Sequence, residues 1–193
     1  PILRTIPSSG EKLPVIGTGT NAYGVTDPAQ LAQIKAVLER MPAEGGKVID
    51  TARGYGSSED VIGQLLKELG NRDKFFLATK THKRRYKGTW GDLRLSLKLL
   101  RVEQVDLWQI HGLTGKVGWQ EAMQPGGTLD TFKAAREKGL VRFIGVTGHG
   151  IKAPEMHLRS LERFDFDSVL VPYDYALMQN PHYAADFEAL AAT

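Results

Sequence analysis

Five short, β-rich apolar runs punctuate the chain, Val48–Ile49, Phe75–Ala78, Val105–Ile110, Val141–Val146 and Ser168–Val171. Runs of this length and composition read as buried strands. A sixth, Leu13–Thr18, precedes them, and Ile2–Ile6 followed by Ser8-Ser9-Gly10 reads as an N-terminal hairpin arm. Between the strands the apolar period lengthens to that of a helix. Asp27 as N-cap and Pro28 at the first helical position introduce Leu31, Ile34, Leu38 and Met41 on one face. Ser58 is expected to cap a helix carrying Ile62, Leu65, Leu66 and Leu69 and stopped by Gly70, and Thr89 one carrying Leu93, Leu97 and Leu100. Phe132 and Ala135 mark a further helix before Gly139, Pro154–Phe164 another with Leu158 and Leu161 inward, and Pro181–Ala192 the start of a last one.

The strand ends fall near Thr20, Asp50, Lys80, His111, Thr147 and Pro172, in steps of 30, 30, 31, 36 and 25 residues. A β/α unit repeating at this period predicts a parallel sheet, either open and doubly wound or closed as a barrel. Gly17, Gly19 and Ala22 spell G-x-G-x-x-A, the dinucleotide fingerprint of an open sheet. That fingerprint needs its glycines to open the helix and an acidic residue about 20 positions on. Here the helix caps at Asp27 and Asp50 lies 31 residues beyond Gly19, so the glycines are expected only to permit a tight strand exit. The expected fold is therefore α/β, a (β/α)8 TIM barrel with an N-terminal β-hairpin. Only about six β/α units are present, and residues 1–193 form a single, incomplete barrel domain.

Composition narrows the chemistry. With 41% hydrophobic residues in 193, the chain can bury a sizeable core. It has no cysteine, which excludes disulfides, thiolate metal sites and a cysteine nucleophile. No apolar run approaches the about 20 residues of a membrane helix, and the start lacks a signal-peptide pattern, so a soluble, unexported, cytoplasmic protein is expected. A formal charge of +3 gives no general attraction to nucleic acid. Locally, however, Lys80, His82, Lys83, Arg84, Arg85 and Lys87 form a basic segment able to attract a phosphate-bearing ligand, or merely to face solvent.

Four groups stand at or just past strand ends: Asp50, Tyr55, Lys80 and His111. In a parallel barrel these ends share the face where active sites assemble. Taken singly, each has an ordinary structural role available, as a turn cap, loop packing, a solvated end or a partner to backbone groups. Taken together they make a site. Tyrosine, with a pKa of about 10, becomes a useful acid only beside a cation, which Lys80 supplies. Asp50 would hold Lys80, and His111 would donate to a carbonyl oxygen gathering negative charge. Such a site protonates an alkoxide but has no hydride of its own, so a nicotinamide cofactor would have to bring one.

The segments Gly46–Glu59 (GKVIDTARGYGSSE), Ile62-Gly63, Ala78–Thr81 (ATKT), Asp106–His111 (DLWQIH) and Gly139–Val146 (GLVRFIGV) resemble, in order and across essentially the whole chain, the aldo-keto reductase superfamily. The resemblance implies NADPH-dependent reduction of aldehydes or ketones, with Tyr55, Lys80, Asp50 and His111 as a catalytic tetrad. It places Gly19, Thr20, Asn21 and Asp50 around the nicotinamide end of the cofactor, and Thr147 and His149 at its carboxamide. It implies no metal, no membrane and no nucleic-acid partner. Where many members carry Ser-Asn after the fifth strand and Gln on the sixth, this chain has Thr147-Gly148-His149 and Leu170.

The family's seventh and eighth units, which cradle the pyrophosphate and 2'-phosphate, are expected to be disordered residues beyond Thr193, or else lost by cleavage or supplied by another chain. A cofactor-sensing or regulatory subunit with little catalysis is the alternative reading. A phosphate-ester or nucleic-acid binder built on Lys80–Lys87, with Tyr86 and Trp90 as stacking residues, is a third. The segment Leu113–Gly127, with Trp119 and Met123, reads as a long loop that either lines a pocket or packs.

Overall fold

The computed structural model describes residues 1–193. Its sheet is built from β3 (Gly17–Gly19), β4 (Val48–Asp50), β5 (Phe76–Thr81), β6 (Val105–Ile110), β7 (Val141–Thr147) and β8 (Ser168–Leu170). These six strands are parallel and lie side by side in chain order. A doubly wound sheet reverses its strand order at a switch point, and this one does not. The arrangement is a half-barrel, and the glycines of G-x-G-x-x-A are the first and last residues of β3, well before the first helix at Pro28.

Helices connect the strands on the outer face: α1 (Pro28–Arg40), α2 (Ser58–Leu69), α3 (Tyr86–Leu100), α4 (Lys116–Met123), α5 (Thr128–Glu137) and α6 (Ala153–Arg163). The short α7 (Tyr175–Met178) and α8 (Pro181–Ala191) follow β8. Alternation along each strand sorts the side chains. Ile49, Leu77, Trp108, Ile110, Ile144 and Val146 point outward into the main core, where Trp108 stacks on Phe132 of α5 with centroids 4.0 Å apart. The alternate residues point inward. Phe76, Ala78, Leu107 and Phe143 form a second cluster, covered from below by Ile6 and Leu13 of the hairpin. Gly63 lets α2 meet the α3 backbone directly, since a Cβ there would lie 2.2 Å from the Leu99 carbonyl.

Several expectations require correction. The run Leu13–Thr18 is not one strand: Lys12–Pro14 forms β2, antiparallel to β1 (Leu3–Thr5), and the barrel strand begins only at Gly17. A single apolar run cannot reveal that its two halves pair with different partners. Asp27 does cap α1, accepting from the Gln30 amide at 2.9 Å. Ser58 does not cap α2, because its hydroxyl is drawn away to the Thr20 carbonyl. Thr89 is likewise not a cap: α3 starts three residues earlier, and the Thr89 hydroxyl donates back to the Arg85 carbonyl at 2.9 Å. On α6 the buried face is Met156, His157 and Ser160, while Leu158 and Leu161 are only half-buried. The loop expected at Leu113–Gly127 contains α4. Its Trp119 packs against the core and donates to Ser160 Oγ at 3.0 Å.

At the N-terminal end of the barrel an ion network closes the bottom. Asp106 accepts from Arg72 (2.8 Å), Arg142 (2.6 Å) and the Leu77 amide (2.8 Å). Arg142 also reaches Glu11 in the hairpin, whose other oxygen takes Lys47 at 2.8 Å. No helix is long and apolar enough to cross a membrane.

Candidate active site

The register that pairs Gly19 with Asp50, Asp50 with Ala78 and Lys80 with Gln109 brings the inward residues of three strands to one height at the C-terminal end. Lys80 is buried there and spends its three protons on three acceptors. It forms an ion pair with Asp50 Oδ2, donates to the Thr51 carbonyl at 2.9 Å, and lies 3.5 Å from the Tyr55 hydroxyl. The ammonium also stands 5.0 Å from the centre of the Tyr55 ring. Its position is fixed from below as well. Gln109 Nε2 donates to the second Asp50 oxygen at 3.1 Å, so both carboxylate oxygens are held.

Tyr55 sits on a turn after β4, its amide donating to the Ala52 carbonyl at 3.1 Å. A buried ion pair anchors that loop. Glu59, fully buried in the first turn of α2, accepts from the Thr79 hydroxyl at 2.6 Å and pairs with Arg53. Gly54 is required by contact rather than by its φ: a Cβ there would stand 2.7 Å from His82 Cε1.

His111 closes the opposite wall. Its ring meets Tyr55 edge-on with centroids 5.8 Å apart, and the His82 ring, tilted by 30°, lies 4.0 Å from it. Burial, with His82, Lys80, His149 and Arg84 adding like charge, pulls its pKa down to about 3, so the imidazole is neutral at physiological pH. Its Nδ1 is buried without a partner. Arg84 ties the two segments together, donating to the His111 main-chain carbonyl at 2.6 Å and to the His82 main-chain carbonyl at 3.0 Å.

Asp50, Tyr55, Lys80 and His111 thus converge. The other residues marked in the sequence divide by exposure. Thr20 and Thr147 are fully buried and hold strand exits: Thr20 Oγ1 donates to the Asp50 carbonyl at 3.0 Å, and Thr147 Oγ1 accepts from the Gly112 amide at 3.2 Å. Gly19, Asn21 and His149 are exposed at the rim. Of the basic segment, Lys80 and Arg84 are turned inward, whereas His82, Lys83, Arg85 and Lys87 are exposed. The residues that sequence reasoning missed are Gln109, Arg53 with Glu59, and Thr79. The available signal was polarity inside a strand buried at every position: Thr79 and Gln109 interrupt such strands.

A nicotinamide fits what is present. Nothing lies within 4 Å of where a Gly19 Cβ would stand, which leaves open space beside Asp50. The Asp50 side chain keeps 27% of its surface exposed toward it. No group of acidic and imidazole side chains is placed to hold a metal ion.

Comparison with known proteins bears on this arrangement. The profile of the "Aldo/keto reductase family" matches residues 15–186. Aldo-keto reductase YhdN of Bacillus subtilis is 31% identical over 168 residues, covering 77% of this chain and 47% of its own. D-galacturonate reductase of Fragaria ananassa is 31% identical over 173 residues, covering 74% of this chain and 50% of its own. The chain spans about half the length of the curated relatives it matches. Among solved structures, an aldo-keto reductase from Klebsiella pneumoniae in complex with NADPH superposes with a TM-score of 0.65 at 26% identity, covering 82% of this chain and 54% of that one. An aldo-keto reductase of Pseudomonas superposes with a TM-score of 0.81 at 23% identity, covering 99% of this chain and 74% of that one, which speaks to fold alone.

Proposed function

Because the chain belongs to the aldo/keto reductase family, we propose that it carries the carbonyl-reducing site of an NADPH-dependent oxidoreductase, with Tyr55 as proton donor. The observation that carries this reading is Lys80, held by Asp50 and the Thr51 carbonyl with its Nζ 3.5 Å from the Tyr55 hydroxyl oxygen. Its support from outside the chain is the NADPH complex of the Klebsiella relative.

On this reading a carbonyl oxygen lies between the Tyr55 hydroxyl and the His111 ring. His111, neutral, donates one N–H to that oxygen and orients it. As negative charge gathers on the oxygen, Tyr55 transfers its proton there, and the phenolate left behind is stabilised by the adjacent Lys80 ammonium. Asp50 and Gln109 act earlier, by holding Lys80 in place before the reaction begins. A reduced nicotinamide, when bound, supplies the hydride. Gly19, Asn21, Asp50 and His149 would face it, while Thr20 and Thr147 shape the floor from beneath.

The test is Tyr55→Phe, which keeps the ring and its edge contact with His111 but removes the transferable proton. NADPH oxidation with an aldehyde is expected to fall by about a hundredfold or more, the usual contribution of a positioned general acid, while NADPH binding followed by fluorescence stays intact. Undiminished turnover would overturn the assignment.

A further inference from the structure

The basic segment flagged in the sequence is only partly absorbed by this chemistry, and its remainder stands over the substrate side of the site. His82 meets His111 with ring centroids 4.0 Å apart and planes tilted by 30°, and the His149 ring stands 6.3 Å from the same ring, on the loop after β7. Arg84 donates to the main-chain carbonyl oxygens of both His82 and His111. Three imidazoles and a guanidinium-bearing segment thus come together on the His111 side of the site.

Their counter-charges are few. Asp50 is committed to Lys80, and Glu59 to Arg53. Arg84, Lys83, His82 and His149 take part in no ion pair. The charged groups acting on His111 are Lys80, His82, His149 and Arg84, none of them acidic. Those acting on His82 are Arg84, Lys80 and Lys83 against a single carboxylate, Asp92, which already accepts from Thr81 Oγ1 at 2.6 Å. Glu121, the carboxylate acting on Arg84, pairs with Arg85 at 3.8 Å. Positive groups thus outnumber carboxylates around the His82–His111 pair, and His82, exposed beside His111, is the member a ligand can reach.

We infer that the site favours carbonyl compounds carrying a second, anionic group such as a carboxylate, and that His82 is the residue that reads it. This rests on the carbonyl-reductase reading for the position of the carbonyl, but the charge recognition can be measured without turnover. Burial and neighbouring cations hold the proton affinity of His82 below its ordinary value. An anion beside it raises that affinity, so binding takes up a proton and the preference strengthens as pH falls.

The experiment compares 4-carboxybenzaldehyde with its neutral counterpart 4-formylbenzamide, using NADPH, in the wild-type chain and His82→Gln. The expected result is a kcat/KM preference of about tenfold for the carboxylate at pH 6, the size of one charge-assisted hydrogen bond, shrinking toward parity by pH 8. His82→Gln is expected to remove the preference and its pH dependence. Equal kcat/KM values at pH 6, or a preference untouched by His82→Gln, would overturn the inference. If neither aldehyde is reduced, the functional reading fails instead, and a second measurement decides the charge recognition alone. In imidazole NMR, 4-carboxybenzyl alcohol should raise the titration midpoint of His82 while 4-(hydroxymethyl)benzamide should not; no difference between the two would overturn it.

Discussion

The two ends of the half-barrel both carry buried charge, yet they use it in opposite ways. At the N-terminal end every carboxylate oxygen of Glu11 and Asp106 has a partner, and these partners tie the hairpin, through Glu11, to the turn before β5 and to the entries of the barrel strands. At the C-terminal end the Asp50–Lys80 pair is equally well made, but near it Thr51 Oγ1 and His111 Nδ1 are buried without partners. A saturated network contributes rigidity and nothing else. An unsaturated one retains hydrogen-bonding capacity beside the one lysine whose third proton points at a tyrosine, at a cost in stability that the closed end offsets.

This contrast predicts different responses to mutation. The largest effect is on activity: Lys80→Met is expected to lower carbonyl-dependent NADPH oxidation by about a hundredfold or more, with only a modest fall in Tm, because Asp50 keeps Gln109 and its exposed edge. Asp106→Ala should do the reverse. It removes the carboxylate shared by two guanidinium groups and the Leu77 amide, and urea denaturation is expected to show a loss of about 2–3 kcal/mol, less than a fully buried pair would give because Arg72 and Arg142 are partly exposed and Arg142 keeps Glu11. NADPH affinity per folded molecule should be unchanged. If Asp106→Ala abolished NADPH binding in folded protein, or Lys80→Met unfolded the chain, the division between the two ends would fail.

The smaller effect is in pH. His111 and His157 have folded pKa values pulled down by burial to about 3 and about 4, from 6.5. Below pH 6.5 the unfolded chain therefore binds protons that the folded chain refuses, so their contribution is full above 6.5 and is lost as pH falls toward 4. Glu11 is shifted the other way: burial opposes its ionisation, but bonds to Lys47 and Arg142 outweigh this and lower its pKa from 4.5. Its contribution is present above 4.5 and lost only below. Urea midpoints between pH 7 and 5 should thus report the C-terminal end alone, and His157→Asn should flatten that slope while Glu11→Gln leaves it unchanged. A slope over this range that depended on Glu11 and not on His157 would reverse the assignment.

Much of the active end is legible in the order of residues. The strand ends carry Asp50, Lys80 and His111 at matching steps of about one β/α unit, and Tyr55 follows Asp50 closely; in a parallel sheet that spacing alone puts them on one face. The helix of residues 28–40 is readable from Asp27, Pro28 and four apolar positions. Expectation and fold part company where two uses compete for one residue. Ser58 and Thr89 look like caps, but each hydroxyl finds a carbonyl elsewhere, and Leu158 and Leu161 give way to His157 because the loop carrying Gly148 packs against that side of α6.

What the sequence by itself determined is everything that follows from local period and spacing: the alternation of strands and helices, the barrel class, and the four groups at one end. Tertiary structure alone decided the partition of Leu13–Thr18 between hairpin and barrel, the support of Asp50 by Gln109, and the anchoring of the Tyr55 loop by Arg53, Glu59 and Thr79. The physical reason is the same in each case. Period is set by the backbone of one segment, whereas a hydrogen bond between residues 59 positions apart, as from Gln109 to Asp50, exists only once the register of neighbouring strands has been chosen by the packing of both faces.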